Sequence, residues 1–271
     1  MSSVMAAETH EAYTIRLSKG AGLIAETRDL LRAWQPGESA AALAERVLQT
    51  DLLGKSTARR VKDIVQRVFA PRYLYPAGCP ALYVKKLVEM HTAGDWFHDL
   101  CLLYAARADR LVRDGVTVLL RNACDEGRIS LSVDAVVAFL READQNGMMA
   151  HPWSPEVRKR VARVLLKVLM EFGFLTQRVR GRRELRHCQP HPLGIAYLAL
   201  DLHFRGATDT VVTSHPDWHL WLLDEPIVRD SLDELSHVGL WIFQAAGAVV
   251  RITWNVSSME EAVDALARCD I

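Results

Sequence analysis

Between Trp153 and His187 the chain reads WSPEVRKRVARVLLKVLMEFGFLTQRVRGRRELRH, ten lysines and arginines against three glutamates. Guanidinium and ammonium groups at this density suit one kind of chemistry, the neutralisation of phosphate by charge-assisted hydrogen bonds. The candidate phosphate-binding residues are Lys159, Arg160, Arg163, Lys167, Arg178, Arg180, Arg182 and Arg183, with a smaller set at Arg59, Arg60 and Lys62. Two other clusters offer different chemistry. His187, Cys188 and His191 stand close together, but no fourth ligand follows at a recognisable spacing, so no metal site is assigned. His215, Asp217, His219, Asp224 and Glu225 could supply acid, base and ligand groups. No nucleophile motif, glycine-rich phosphate loop or HExxH stretch accompanies them, so packed surface is the favoured reading and no catalytic residue is assigned.

The cationic residues need elements to carry them. At about 100° per residue, Val157, Val161, Val164, Leu165, Val168 and Phe172 fall on one face of a helix, and Lys159, Arg160, Arg163 and Lys167 fall roughly opposite. Ser154 and Pro155 supply the N-cap and first-turn proline, and Gly173 stops the helix. FLTQRV and ELRHC then read as two short strands around the tip RGRR. A helix followed by a basic two-stranded ribbon is the pattern of a winged-helix nucleic-acid binder. The helix is longer than a usual recognition helix, and the loop DQNGMMAHPW before it exceeds the turn of a compact helix-turn-helix. The expectation is a helix that grips phosphates along a groove with little base reading.

Most of the remaining chain repeats its apolar residues at helical spacing. Leu23, Leu30, Leu31 and Trp34 mark a first helix, and Leu43, Val47 and Leu48 a second. A third, capped by Ser56, carries Val61, Ile64, Val65 and Val68 inward, leaves Arg59, Arg60, Lys62 and Arg67 outside, and ends at the prolines of APRYLYPAGCP. Ala81 to Arg113 reads as two scaffold helices broken at Thr92 to Gly94, and Ser132 caps another at SVDAVVAFLREA. Toward the C-terminus come helices at LGIAYLALDLHF and IVRDSLDEL and a hairpin in LWIFQAAGAVVRITW turning at Ala246 and Gly247. A capping box of Ser257 and Glu260 then opens a helix with Met259, Ala262, Val263 and Leu266 on one face. The fold class expected is mainly α, with helix-turn-helix or winged-helix-like units and short β-hairpins, in three parts at 1–80, 81–190 and 191–271.

Composition bounds the function. The 271 residues are half hydrophobic, enough for a substantial core, and 33 basic residues balance 33 acidic ones. Attraction to a polyanion must therefore come from where the charges sit. From Ala207 onward eleven acids face three bases, Arg229, Arg251 and Arg268, which would repel a phosphate backbone and suits protein contacts or packing. Five scattered cysteines without a CxxC pair indicate neither a disulfide framework nor a zinc ribbon. The N-terminal stretch lacks the pattern of a secretion signal, and the longest apolar run, VGLWIFQAAGAVV, is too short to span a bilayer. A soluble cytoplasmic protein is expected.

The segments YTIRLSKGAGLIAETRDLLRAW, LLGKSTARRVKDIVQRVFAPRYL, WSPEVRKRVARVLLKVLMEFGFL and GLWIFQAAGAVVRITW, taken in order, resemble the BrxA family of bacterial BREX (bacteriophage exclusion) defence systems. The resemblance implies a small, mostly helical, non-enzymatic component that binds double-stranded DNA and works beside the other BREX proteins. The residues themselves point to no cofactor, membrane contact or small-molecule substrate. It carries no catalytic motif onto these residues. Two other classes stand beside it: an adaptor whose basic surface meets an acidic partner, and an RNA-binding or nucleotide-modifying enzyme. Against RNA, no aromatic stacking platform is interleaved with the arginines.

Overall fold

A computed structural model describes residues 12–269 apart from 21, 56, 92–93, 150, 180–181, 187 and 248. After a 3-10 turn at Ile15–Lys19 come α1 (Ile24–Ala33), α2 (Ala40–Gln49) and a continuous helical run of α3 (Ala58–Lys62), a π-helical stretch (Asp63–Phe69) and α4 (Ala70–Tyr73). Next stand α5 (Cys79–Met90), α6 (Asp95–Ala108), α7 (Arg110–Asp114), a second π-helical stretch (Gly115–Leu120) and α8 (Arg121–Asp125). α9 (Val133–Gln145) and α10 (Pro155–Glu171) lead into a hairpin of β1 (Leu175–Val179) and β2 (Arg182–Leu185). The remainder comprises α11 (Pro192–Phe204), α12 (Asp209–Ser214), a 3-10 helix (Pro216–Trp221), α13 (Glu225–Glu234), a hairpin of β3 (Trp241–Ala246) and β4 (Val249–Trp254), and α14 (Met259–Leu266). Mainly helical architecture with two short hairpins agrees with the sequence periodicity.

Two compact units divide these elements. One comprises the described residues of Met5–Ala81 and Cys101–Cys188. Its core takes the apolar faces of several helices: Leu30 and Leu31 of α1, Leu43 and Val47 of α2, Ile64 and Val65 of the π stretch, and Leu165 and Leu169 of α10 are all within 1% of full burial. Phe69, Tyr73 and Tyr104 form a ladder of rings 5.2 Å apart through this core. α10 packs against α9, β1, the first 3-10 turn and the second π stretch, so it buries a broader face than periodicity indicates. Ala162, Leu166 and Leu169 are buried with Val161, Leu165, Val168 and Phe172, whereas Val157 and Val164 are only partly covered. Gly115 lets the second π stretch approach α10, since a Cβ there would stand 2.9 Å from a Leu165 methyl. Tyr13 is laid beside the loop ahead of α10 by a parallel bridge to Met149 and a bond from its N–H to the Met148 carbonyl (2.7 Å). Its hydroxyl donates to Asp114 at 2.6 Å, and the Arg110 guanidinium sits over its ring.

β2 also pairs on its other side. Ser130 and Glu184 form an antiparallel bridge, flanked by Leu131 N–H to the Arg183 carbonyl (2.9 Å) and Leu185 N–H to the Ile129 carbonyl (3.1 Å). A three-residue segment between α8 and α9 thus extends the hairpin into a small three-stranded arrangement, an element that the sequence reading omits.

The second unit comprises Leu82–Leu100 with the described residues of Gln189–Ile271. α11 is its centre: every residue from Leu193 to Leu202 is buried, so this helix has no polar face. Burial pushes the Asp99 carboxyl up to about 7, although it accepts the His191 N–H ahead of α11 at 2.7 Å. α14 closes the unit, with Glu260 accepting from the Tyr83 hydroxyl and Asp264 paired with Lys86.

Local assignments shift where several signals compete. The cap of α3 is Thr57, whose side chain accepts the Arg60 N–H; Ser56 lies outside the described residues. The helix then runs through Pro71 to Tyr73, because the π stretch ahead widens the ladder where the ring would clash: Ala70 N–H bonds the Val65 carbonyl five residues back. α6 ends at Ala108 and α7 restarts under an Asp109 cap, a break that the sequence reading does not place. The α5–α6 break lies at 91–94, with Thr92 and Ala93 outside the described residues. α14 is capped by Ser258, not Ser257, and Glu261, not Glu260, reaches back to the Ser257 N–H at 2.7 Å. The β3–β4 turn starts at Gly247 (φ 59°), after Ala246 has paired with Val249.

Candidate nucleic-acid interface

α10 starts as its sequence specifies. Ser154 accepts the Val157 N–H at 3.3 Å, Pro155 occupies the first turn, and Glu156 places a negative charge near the positive end of the helix. Arg158 is drawn inward, donating to Asp144 at 2.8 Å and to the Trp153 carbonyl at 3.2 Å, which fastens the start of α10 to the end of α9. Lys159, Arg160, Arg163 and Lys167 remain on the outer face, all exposed. Lys159, Arg163 and Lys167 repeat every fourth residue and form a row about 12 Å long at 1.5 Å per residue. Lys167 lies 3.5 Å from Glu171; Lys159, Arg160 and Arg163 have no ion-pair partner among the described residues. With apolar residues taking up the opposite face, this row has no internal task.

The hairpin continues from this helix, and β1 packs against α10. Thr176 faces Glu184 and Val179 faces Arg182, with a bulge between Thr176 and Val179. Arg178 therefore lies in β1, and Arg182 and Arg183 lie in β2, leaving only 180–181 between the strands. This corrects the wider tip RGRR; Arg180 lies outside the described residues. Arg183 is half-buried, its carbonyl takes the Leu131 N–H, and its Nε is buried without a hydrogen-bond partner among the described residues. Arg186, just past β2, is exposed; the register of the Ser130 bridge sets it opposite Arg128. Both arginines are absent from the sequence-derived set. The signal for them is RISLS, a short alternating stretch between Gly127 and α9.

The N-terminal set divides. Arg59 and Lys62 are exposed on α3, whereas Arg60 is half-buried and donates to the Lys19 carbonyl, a tie between α3 and the first 3-10 turn. The other polar clusters carry local structural tasks. Cys188 Sγ donates to the Gly173 carbonyl at 2.8 Å, and His191 Nδ1 accepts the Leu193 N–H as the cap of α11; His187 lies outside the described residues. His215 Nδ1 accepts the Asp217 N–H, Asp224 is the N-cap residue of α13, and Glu225 is paired with Arg229 at 2.5 Å. Among the described residues, no group of three or more His, Cys, Asp or Glu is placed to hold a metal. No described helix is long and apolar enough to cross a membrane.

No curated protein matches the chain. The sequence does match the BrxA family over residues 11–199, a span that runs from the first 3-10 turn through α10 and its hairpin into α11 and stops short of β3–β4. That match covers more than half of the chain and all of the cationic elements, so the protein belongs to the BrxA family, components of BREX anti-phage defence systems.

Proposed function

We propose that this chain is a non-enzymatic, double-stranded-DNA-binding component of its BREX system, gripping the phosphate backbone with the outer face of α10 and the arginines of β1–β2. The observation that carries this reading is the set Lys159, Arg160 and Arg163: three exposed cations without ion-pair partners among the described residues, on a helix whose other face packs into the core. The order of elements supports it. A helix (α7 to α8), a short strand (Ile129–Leu131), two helices (α9, α10) and a hairpin pairing back onto that strand follow the succession of a winged helix, which lays its second helix in a groove and its wing along the flank. Arg59 and Lys62 form a secondary contact. Phosphate contacts position a protein without reading bases, so affinity varies little between unrelated duplexes. Other BREX proteins are the expected protein partners, and the acidic stretch from Ala207 onward suits such contacts.

The test is a mobility-shift titration with unrelated duplexes at two or more salt concentrations. About six simultaneous phosphate contacts give a slope of log affinity on log salt near −5. A flat salt dependence, or binding to one sequence only, overturns the phosphate-grip reading and leaves the adaptor role.

A further inference from the structure

We propose that a cleft in the first unit, between the 3-10 turn Ile15–Lys19, the helical run ending in α4, and the α6–α7 junction, is a binding site for a compact oxyanion of the phosphate class. The cleft is small, opens to solvent, and is lined by Arg16, Arg67, Arg72 and Asp109 among apolar walls that include Leu17 and Val68. It shares no residue with the face of α10.

Arg72 is the reason to expect a ligand. Its side chain is 7% exposed, yet its five N–H donors make one hydrogen bond to the described residues, from Nη1 to the Gly22 carbonyl at 3.2 Å. No described carboxylate is ion-paired with it; Asp109 and Glu171 act on it only from farther away. A buried cation without an ion-pair partner is costly, and Arg72 lines the cleft. Asp109 does not fill the gap, because its carboxylate accepts the Leu111 N–H at 3.0 Å as the cap of α7.

The backbone helps to assemble the cations. On a regular helix Arg67 and Arg72 would stand about 140° apart, at 3.6 residues per turn. The widened π turn between them reduces that offset, and both line the same cleft. Arg16 approaches from the separate 3-10 turn. Arg67 shares Asp63 with Lys19, at 3.2 and 3.5 Å, so the rim retains net positive charge. Three guanidiniums arriving from different directions suit an anion with more than two oxygens, a tetrahedral phosphate or sulfate in preference to a carboxylate. The low-dielectric walls strengthen each contact. Burial also pushes the Asp109 carboxyl up to about 6, opposed by Arg72 and Arg16, so mild acid removes the one negative charge in the cleft.

The phosphate group could be free or carried on the end of a nucleic acid, and the experiment separates these sources. The full chain is titrated calorimetrically with inorganic phosphate and with sulfate at low ionic strength, chloride serving as control, and then with short duplexes bearing either a 5′-phosphate or a 5′-hydroxyl. Saturable one-to-one binding of phosphate and sulfate is expected, weakened about tenfold or more by Arg16→Ala and by Arg67→Ala, since each removes a charged hydrogen-bond donor. Asp109→Asn keeps a capping side chain, removes the negative charge and should tighten sulfate binding at pH 8. Arg72→Lys should abolish binding; if it fails to fold, the exposed Arg16 and Arg67 variants still decide. A 5′-phosphate preference lost in Arg16→Ala assigns the nucleic-acid end, and equal duplexes with intact phosphate binding assign the free anion; both support the site. Absence of saturable binding to the unaltered protein, or binding unchanged in Arg16→Ala and Arg67→Ala, overturns it.

Discussion

The two hairpins obey the same pairing rules but achieve stability by different means. β3–β4 is a regular ladder of six residue pairs closed at its open end by Trp241 opposite Trp254, whose rings are 5.7 Å apart. Trp241 is 1% exposed and donates to the Leu232 carbonyl at 2.9 Å, and Asp209 accepts the Ile252 N–H on the outer edge of β4 at 2.9 Å. β1–β2 is shorter and bulged, and leans on neighbours: α10 under β1 and Ile129–Leu131 alongside β2. β3–β4 is closed by its own tryptophan pair and braced by α12 and α13, whereas β1–β2 takes its support from α10 and from Ile129–Leu131.

Removing the aromatic closure should give the largest effect. Trp241→Ala is expected to cost about 3–5 kcal/mol in chemical denaturation, the range for deleting a buried large aromatic. A loss below about 1 kcal/mol would show that β3–β4 does not depend on that pair. The opposite profile belongs to Arg180, Arg182 and Arg183 replaced together by alanine. The salt slope of DNA binding should flatten by about one unit per arginine that contacts phosphate, about three at most. Stability should change little, by about 0.5 kcal/mol for each replacement, Arg183 included although it is half-buried. Arg28, Arg32 and Arg229 replaced together should leave the slope unchanged; a slope that follows this control set and not the hairpin set would refute the division of labour.

The unit carrying β3–β4 should also respond to pH through Asp99. Asp99 titrates near 3.8 when unfolded and about 7 when folded, so the native state holds the proton more tightly. Stability of the β3–β4 unit therefore falls as pH rises between those values and levels off above them. Tryptophan fluorescence follows this unit preferentially, since Trp96, Trp218, Trp221, Trp241 and Trp254 all lie in it. Asp99→Asn should remove most of the slope, and an unchanged slope would rule Asp99 out. Smallest of all, Ser154→Ala should cost about 1 kcal/mol through loss of the α10 cap, with little change in the salt slope.

Local chemistry made much of the fold legible. Ser132 and Ser154 mark helix starts by accepting free N–H groups and Pro155 by lacking one, and the inward residues of α3 and its π stretch follow simple periodicity. The cationic row of α10 was readable because a helix has only two faces to allot. What escaped depends on partners distant in sequence. Nothing near Arg60 announces the Lys19 carbonyl, and nothing near Arg183 announces Leu131. Ser257 and Ser258 can each start a cap, so the choice between them rests on packing and not on motif. The Arg72 cleft needed a wide turn that propensity does not report, bringing together residues that a regular helix separates.

Tyr13 gives the cationic helix a dependence on the order of synthesis. Its bridge to Met149 pins the loop whose path sets the angle at which α10 leaves α9. A loop spanning residues 13 to 149 closes only after nearly everything between them exists and has been ordered, and its closure cost is offset by few contacts of its own. On the ribosome Tyr13 and Met149 both emerge before α10 does, so the loop that leads into the helix can be pinned before α10 folds against it.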